Sequence, residues 1–155
     1  MTEDASILPR ILLVEDNPDD VELTRIAMEE AGLRCELLAV EDGADAIDVL
    51  RSSTEAGGPE KPHLVLLDLN LPKVDGRDVL RFIKGDPQLR SIPVLILTTS
   101  GDDHDIRFSY DNHASAFLVK PIDYDEFVHL FEVVVAYWFG VVVLPPTRDP
   151  YDPYV

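Results

Sequence analysis

Five short apolar runs, separated by segments with helix signals, constrain this chain more than any other feature. They are Ile11–Val14, Cys35–Val40, Leu64–Leu67, Pro93–Leu97 and Ala116–Val119. Each is too short for a buried helix but long enough for a strand. The stretches between them carry helix starts and stops. Asn17-Pro18 reads as an N-cap followed by proline at the first helical position. Val21, Leu23, Ile26, Ala27 and Met28 carry that helix to a stop near Gly32. Asp42 or Gly43 opens a second helix, Gly76 to Lys84 is a third, and Asp102 to about Asn112 is a polar fourth. Asp123 caps a fifth that runs to about Phe139. Strand–helix alternation with short connections predicts an α/β fold, a parallel sheet with helices on both faces.

Length and charge limit the rest. At 155 residues one domain is expected. Thirteen basic against thirty acidic side chains give a net charge of −17. This argues against nucleic acid and against an anionic membrane surface as partners, since both are bound through Lys and Arg. An apolar fraction of 46% still supports a sizeable core. Cys35 is alone, which leaves no intrachain disulfide and no cysteine-based zinc site. The stretch Val133–Pro146 is too short for a membrane span, and no signal peptide is evident, so a cytoplasmic protein is expected. Organisation is read as an N-terminal tail over 1–9, a domain over 10–139, and an arm and tail over 140–155.

In open parallel sheets ligands bind outside the carboxyl ends of the strands. Here the first run ends in Glu15-Asp16, the third in Asp68, the fourth in Thr98 and the fifth in Lys120. Three carboxylates, a hydroxyl and an ammonium therefore converge on one edge. Packed carboxylates repel unless a cation compensates. Mg²⁺ suits such a set, because it takes carboxylates, water and phosphate oxygens. A carboxylate can also accept a phosphoryl group, and phosphoryl transfer chiefly needs positioning and charge neutralisation. Singly, each motif could be a turn or a helix cap; four of them on four different strands are harder to dismiss.

The segments Ile11–Pro18 (ILLVEDNP), Leu66–Pro72 (LLDLNLP) with Asp75-Gly76, Leu97–Ser100 (LTTS) and Phe117–Pro121 (FLVKP) resemble the receiver domain of two-component response regulators. The resemblance spans about Arg10 to Phe139. It implies a flavodoxin-like (βα)5 fold, doubly wound, with five parallel strands in the order 2-1-3-4-5 and a C-terminal extension. It also implies roles. Asp68 would be the phosphoacceptor. Asp16 would bind Mg²⁺ directly, Glu15 would act mainly through water, and the main-chain carbonyl of Asn70 would be a further ligand. Thr98 would be the switch hydroxyl, Lys120 the phosphate-pairing cation and Phe117 the switch aromatic. The Lys120-Pro121 bond would be cis. The donor would be a phosphohistidine of a histidine kinase. The insert before the third strand, Ser109–Asp111 and Tyr137–Pro145 are further similar to stand-alone response regulators that partner phytochrome-type kinases, bacteriophytochromes among them.

On the last helix, Phe127, Leu130, Phe131, Val134 and Trp138 form one apolar stripe, and Val128, Val133, Val135, Tyr137 and Phe139 are apolar as well. A second apolar face suggests a partner. The expectation is a homodimer through Phe127, Phe131, Val135, Trp138 and Phe139 and through an extended arm, Val141, Val142, Val143 and Leu144. The rival reading is a haloacid-dehalogenase-like phosphatase with Asp68 as nucleophile. That fold wants its nucleophile on the first strand and a second Asp two residues later, where this chain has Asn70.

Overall fold

The computed structural model describes residues 8–148. Five strands and five helices alternate along the chain: β1 (Arg10–Val14), α1 (Pro18–Glu30), β2 (Glu36–Val40), α2 (Gly43–Ser52), β3 (Leu64–Leu67), α3 (Gly76–Gly85), β4 (Val94–Thr98), α4 (Asp103–Asp111), β5 (Ala116–Val119) and α5 (Tyr124–Trp138). All strand pairs are parallel and the sheet order is β2-β1-β3-β4-β5. The expected doubly wound, flavodoxin-like architecture is therefore what the chain adopts.

Successive strand residues point to opposite faces, and the two faces have separate cores. Ile11, Leu13, Leu64, Leu66, Leu95 and Leu97 pack with Ala27 and Met28 of α1 and with Phe127, Phe131 and Val134 of α5. Leu12, Val14, Val65, Leu67, Val94 and Ile96 pack with Ala46 and Leu50 of α2 and with Val79, Leu80 and Ile83 of α3. The uninterrupted apolar runs of β1, β3 and β4 follow from burial on both sides.

Each helix opens on an Asx cap. Asn17, Asp42, Asp75, Asp102 and Asp123 all accept hydrogen bonds from backbone amides of the first turn. The stop after α1 is Gly32, whose φ of +83° is the left-handed conformation in which glycine ends helices. The first residues of α2 and α3 are both glycine for a different reason. A Cβ on Gly43 would meet the carbonyl oxygen of Val74 at 2.0 Å, and one on Gly76 would meet that of Asp68 at 2.2 Å. The β3–α3 loop is thus clamped between two helix starts that only glycine can place so close.

The C-terminal part corrects the sequence-based expectation. Phe127 and Phe131 are buried in this domain's own core, with ring centroids 5.2 Å apart, and are not free for a second chain. Trp138 and Phe139 also pack, partly buried, on that core. The stripe beginning at Phe127 is simply the face α5 needs to cover the sheet. The exposed apolar residues of this end are Val133, Tyr137, Val141 and Val143, while Val135, Val142 and Leu144 are half-buried. Val141–Leu144 is not a strand. The segment returns to the domain, where Arg10 Nη2 donates to Thr147 Oγ1 at 2.9 Å and Glu60 bridges Arg10 (2.9 Å) and Arg148 (2.6 Å). Residues 1–7 and 149–155, with most of the two expected tails, lie outside the described part.

Candidate functional site

β1, β3, β4 and β5 end on one edge of the sheet, and their ends build the site. Parallel register brings Val14 beside Leu67 and Thr98 beside Val119. Glu15 and Asp16 therefore leave β1 next to Asp68 leaving β3, and Lys120 follows β5. The Lys120 amide donates to the Thr98 carbonyl at 2.8 Å, which extends the β4–β5 pairing to the rim of the site.

The side chains meet there as the sequence predicts. Glu15, Asp16 and Asp68 each offer a carboxylate oxygen within 4.8 Å of the others; Glu15 and Asp68 are buried and Asp16 is exposed. The Lys120 side chain is only 6% exposed, and its ammonium contacts Glu15 Oε1 at 2.5 Å, Asp68 Oδ2 at 3.0 Å and Asp20 Oδ2 at 3.0 Å. Asp68 Oδ1 accepts from the Asn70 amide at 3.0 Å. The Asn70 side-chain amide donates to the fully buried Thr98 hydroxyl at 3.4 Å. Phe117, half-buried at the α4 side of β5, packs against the α2/α3 core.

The electrostatics follow from burial. Loss of water pushes the Glu15 carboxyl up to about 7, against the pull of Lys120, and the nearby Asp68 charge adds to the rise. Burial works to lower the Lys120 pKa, but hydrogen bonding and charge from Glu15, Asp68 and Asp20 outweigh it and raise it above its ordinary value. Three carboxylates at such spacing, one of them held back from ionising and one open to solvent, are a fitting donor set for a hard divalent cation.

One expected detail is corrected. The Lys120–Pro121 bond is trans, and no peptide bond among the described residues is cis. Trans is the intrinsically favoured isomer of an X-Pro bond, and with it Lys120 already reaches all three carboxylates.

Two contributors escaped the sequence reading. Asp20 was legible only as a first-turn acid of α1, yet its carboxylate reaches Lys120 one hundred positions away. Asp105, buried at the start of α4, is held by Arg77 of α3, with Nη2 at 2.6 Å and Nε at 3.2 Å. Ser100, just beyond Thr98, lies 3.5 Å from the other Asp105 oxygen, so the β4–α4 loop, α4 and α3 are joined through one carboxylate. Tyr110 adds a tie from α4 to β5, its hydroxyl accepting from the Phe117 amide at 3.2 Å.

A site of carboxylates, one hydroxyl and one lysine on the carboxyl edge of a 2-1-3-4-5 sheet defines a receiver, and the response regulator receiver domain matches residues 11–132. The chain belongs to that family and is a two-component signalling protein. It is 45% identical over 130 residues to the probable methanogenesis regulatory protein FilR2 of Methanothrix harundinacea, covering 84% of this chain and 83% of that one. It is 36% identical over 145 residues to response regulator Rcp1 of Synechocystis sp., covering 94% of this chain and 99% of Rcp1. The crystal structure of the phosphorylated cyanobacterial phytochrome response regulator RcpA superposes with a TM-score of 0.84 at 38% identity, covering 90% of this chain and all of RcpA. The phosphatase alternative finds no support: Asp68 follows the third strand, not the first.

Proposed function

We propose that this receiver takes a phosphoryl group from a kinase phosphohistidine onto Asp68 and thereby switches contacts with other proteins. The observation that carries the reading is the buried Asp68 carboxylate between the Lys120 ammonium and the Glu15/Asp16 pair. An Asp68 oxygen attacks phosphorus, the P–N bond to the donor imidazole breaks as the P–O bond forms, and the imidazole, already protonated on its other ring nitrogen, leaves as the neutral base. Glu15, Asp16, Asp68 and the Asn70 carbonyl would hold Mg²⁺, which neutralises carboxylate and phosphoryl charge when bound. Thr98 and Lys120 then bind phosphoryl oxygens, and Thr98, the β4–α4 loop and Phe117 shift between two states present beforehand. Hydrolysis of the acyl phosphate resets the protein without turnover of an external substrate.

The match to Rcp1 and RcpA over nearly the whole chain favours a phytochrome-type kinase as donor and a cytoplasmic setting. Among the described residues no helix is long and apolar enough to cross a membrane. The exposed ridge of Val133, Tyr137, Val141 and Val143 supports self-association through α5 and the segment after it. The domain is taken as 10–139, which runs past the end of the family match at 132 to the residue after α5.

Intact mass after acetyl phosphate and Mg²⁺ tests the mechanism. Wild type should gain one phosphoryl mass and Asp68→Asn none. An undiminished adduct on the variant, or sustained phosphate release from phosphomonoesters, would refute it.

A further inference from the structure

Lys120 has three ammonium N–H groups and three carboxylate partners, Glu15, Asp68 and Asp20, so no donor is free. A phosphoryl oxygen arriving on Asp68 can be engaged only if one of these bonds is given up. The three partners differ in what their release costs. Glu15, 3% exposed, is one of the acids that would hold Mg²⁺, and Asp68, 8% exposed, gives up its own carboxylate charge when it becomes an acyl phosphate. Asp20 is 27% exposed and can exchange the ammonium for water. Its position is also fixed independently of Lys120. Asn17 caps α1 through the amides of Asp19 and Asp20, Pro18 sets the first turn, and the Thr24 hydroxyl donates to the Asp20 carbonyl at 2.7 Å. The backbone of Asp20 therefore stays beside the pocket whichever way Lys120 turns.

We propose that Asp20 is a positioning residue that acts through Lys120: it is the partner Lys120 leaves on phosphorylation, and it opposes the phosphorylated state. Two effects point the same way. The Asp20–Lys120 pair must be broken, and the Asp20 charge, once uncovered, faces the added phosphoryl charge. Removing the carboxylate leaves Lys120 oriented by Glu15 and Asp68 but one donor free. The inference rests on Asp68 being the phosphoacceptor.

The test is titration of the full chain with beryllofluoride, a phosphoryl mimic, in saturating Mg²⁺, followed by the amide resonances of Thr98 and Lys120. Asp20→Asn, with Asp20→Ser as second variant, should bind about two- to fivefold more tightly than wild type, the range expected for losing a partly exposed ion pair. After acetyl phosphate it should hold the phosphoryl group correspondingly longer. Asp20→Glu, which keeps the charge, should return towards wild type. Unchanged or weaker binding in Asp20→Asn and Asp20→Ser overturns the proposal, including the case where only thermal stability moves, since that marks a purely structural ion pair. Absence of any beryllofluoride response in wild type would instead remove the phosphoacceptor reading, and this inference with it.

Discussion

Gly76→Ala is the substitution for which the fold makes the sharpest demand. A methyl carbon there would stand 2.2 Å from the Asp68 carbonyl oxygen, 2.6 Å from Leu69 Cα and 2.8 Å from the Leu69 carbonyl oxygen. Heavy atoms settle at about 3.5–4.0 Å, so the backbone under Asp68 must retreat by about an ångström or more. None of the opposing atoms belongs to a flexible side chain, and the Gly76 amide is itself bonded to the Leu69 carbonyl at 3.0 Å. Overpacking of this kind costs about 1–3 kcal/mol, with the upper half expected against rigid backbone. Better helix propensity returns at most about 1 kcal/mol. The net loss is about 2 kcal/mol, or about 4–8 °C in Tm for a chain of this size. Gly85 is the internal control, because a Cβ there meets nothing within 4 Å. Gly85→Ala should be neutral or stabilising by up to about 1 kcal/mol. Urea unfolding followed by circular dichroism measures both, and acetyl-phosphate labelling reports whether Asp68 has been displaced. If Gly76→Ala stays within about 0.5 kcal/mol of wild type and labels normally, the clamp does not position Asp68.

The Glu15 carboxyl, raised from 4.5 to about 7, gives a pH signature. Its neutral form is favoured by the fold, so its contribution to stability of the metal-free protein is full below pH 4.5 and is lost as pH rises through about 7. Cation binding needs the carboxylate and runs the other way: Mg²⁺ or Mn²⁺ should bind about tenfold more weakly at pH 6 than at pH 8. Calorimetric titration at the two pH values checks this, and equal affinities would count against it. Phe131→Ala should destabilise by about 3–5 kcal/mol in urea, as for a buried core ring and not for an interface residue. Val143→Ala, 93% exposed in wild type, should leave unfolding unchanged but lower the mass seen by light scattering. Scattering mass unmoved by Val143→Ala would remove that ridge from the contact.

The elements were legible because their signals are local. Runs such as Leu64–Leu67 allow only a strand buried on both faces, and Asn17, Asp42, Asp102 and Asp123 cap helices where the sequence places them. The convergence of Glu15, Asp16, Asp68, Thr98 and Lys120 follows from the rule that polar residues end the strands of a parallel sheet on one edge. What depends on three-dimensional distance was not legible. Asp20 looks like any acid in a helix first turn, and the Arg77–Asp105 pair joins two helices with no sequence periodicity to announce it. The composition of α5 could not divide its apolar residues between the domain's own core and an outer ridge. That division depends on how the helix rolls against α1 and the sheet, which is set by packing and not by hydrophobicity alone.

The return of the chain at Thr147 changes what the segment after α5 can do. With one end fixed by the helix and the other by Arg10 and Glu60, residues 140–147 form a closed bow, not a loose tether. Eight residues reach at most about 26–29 Å when stretched, and fixing both ends removes most of that reach. Such a bow can present Val141 and Val143 to a neighbour, but it cannot be exchanged with the same segment of another copy while its knot is tied. The knot joins the Arg10–Thr147 hydrogen bond to the Glu60 ion pairs, of which the exposed one to Arg148 is the part that salt weakens. Ionic strength, acting at the edge of the sheet opposite to Asp68, thus becomes a lever on how firmly this segment is held to the domain.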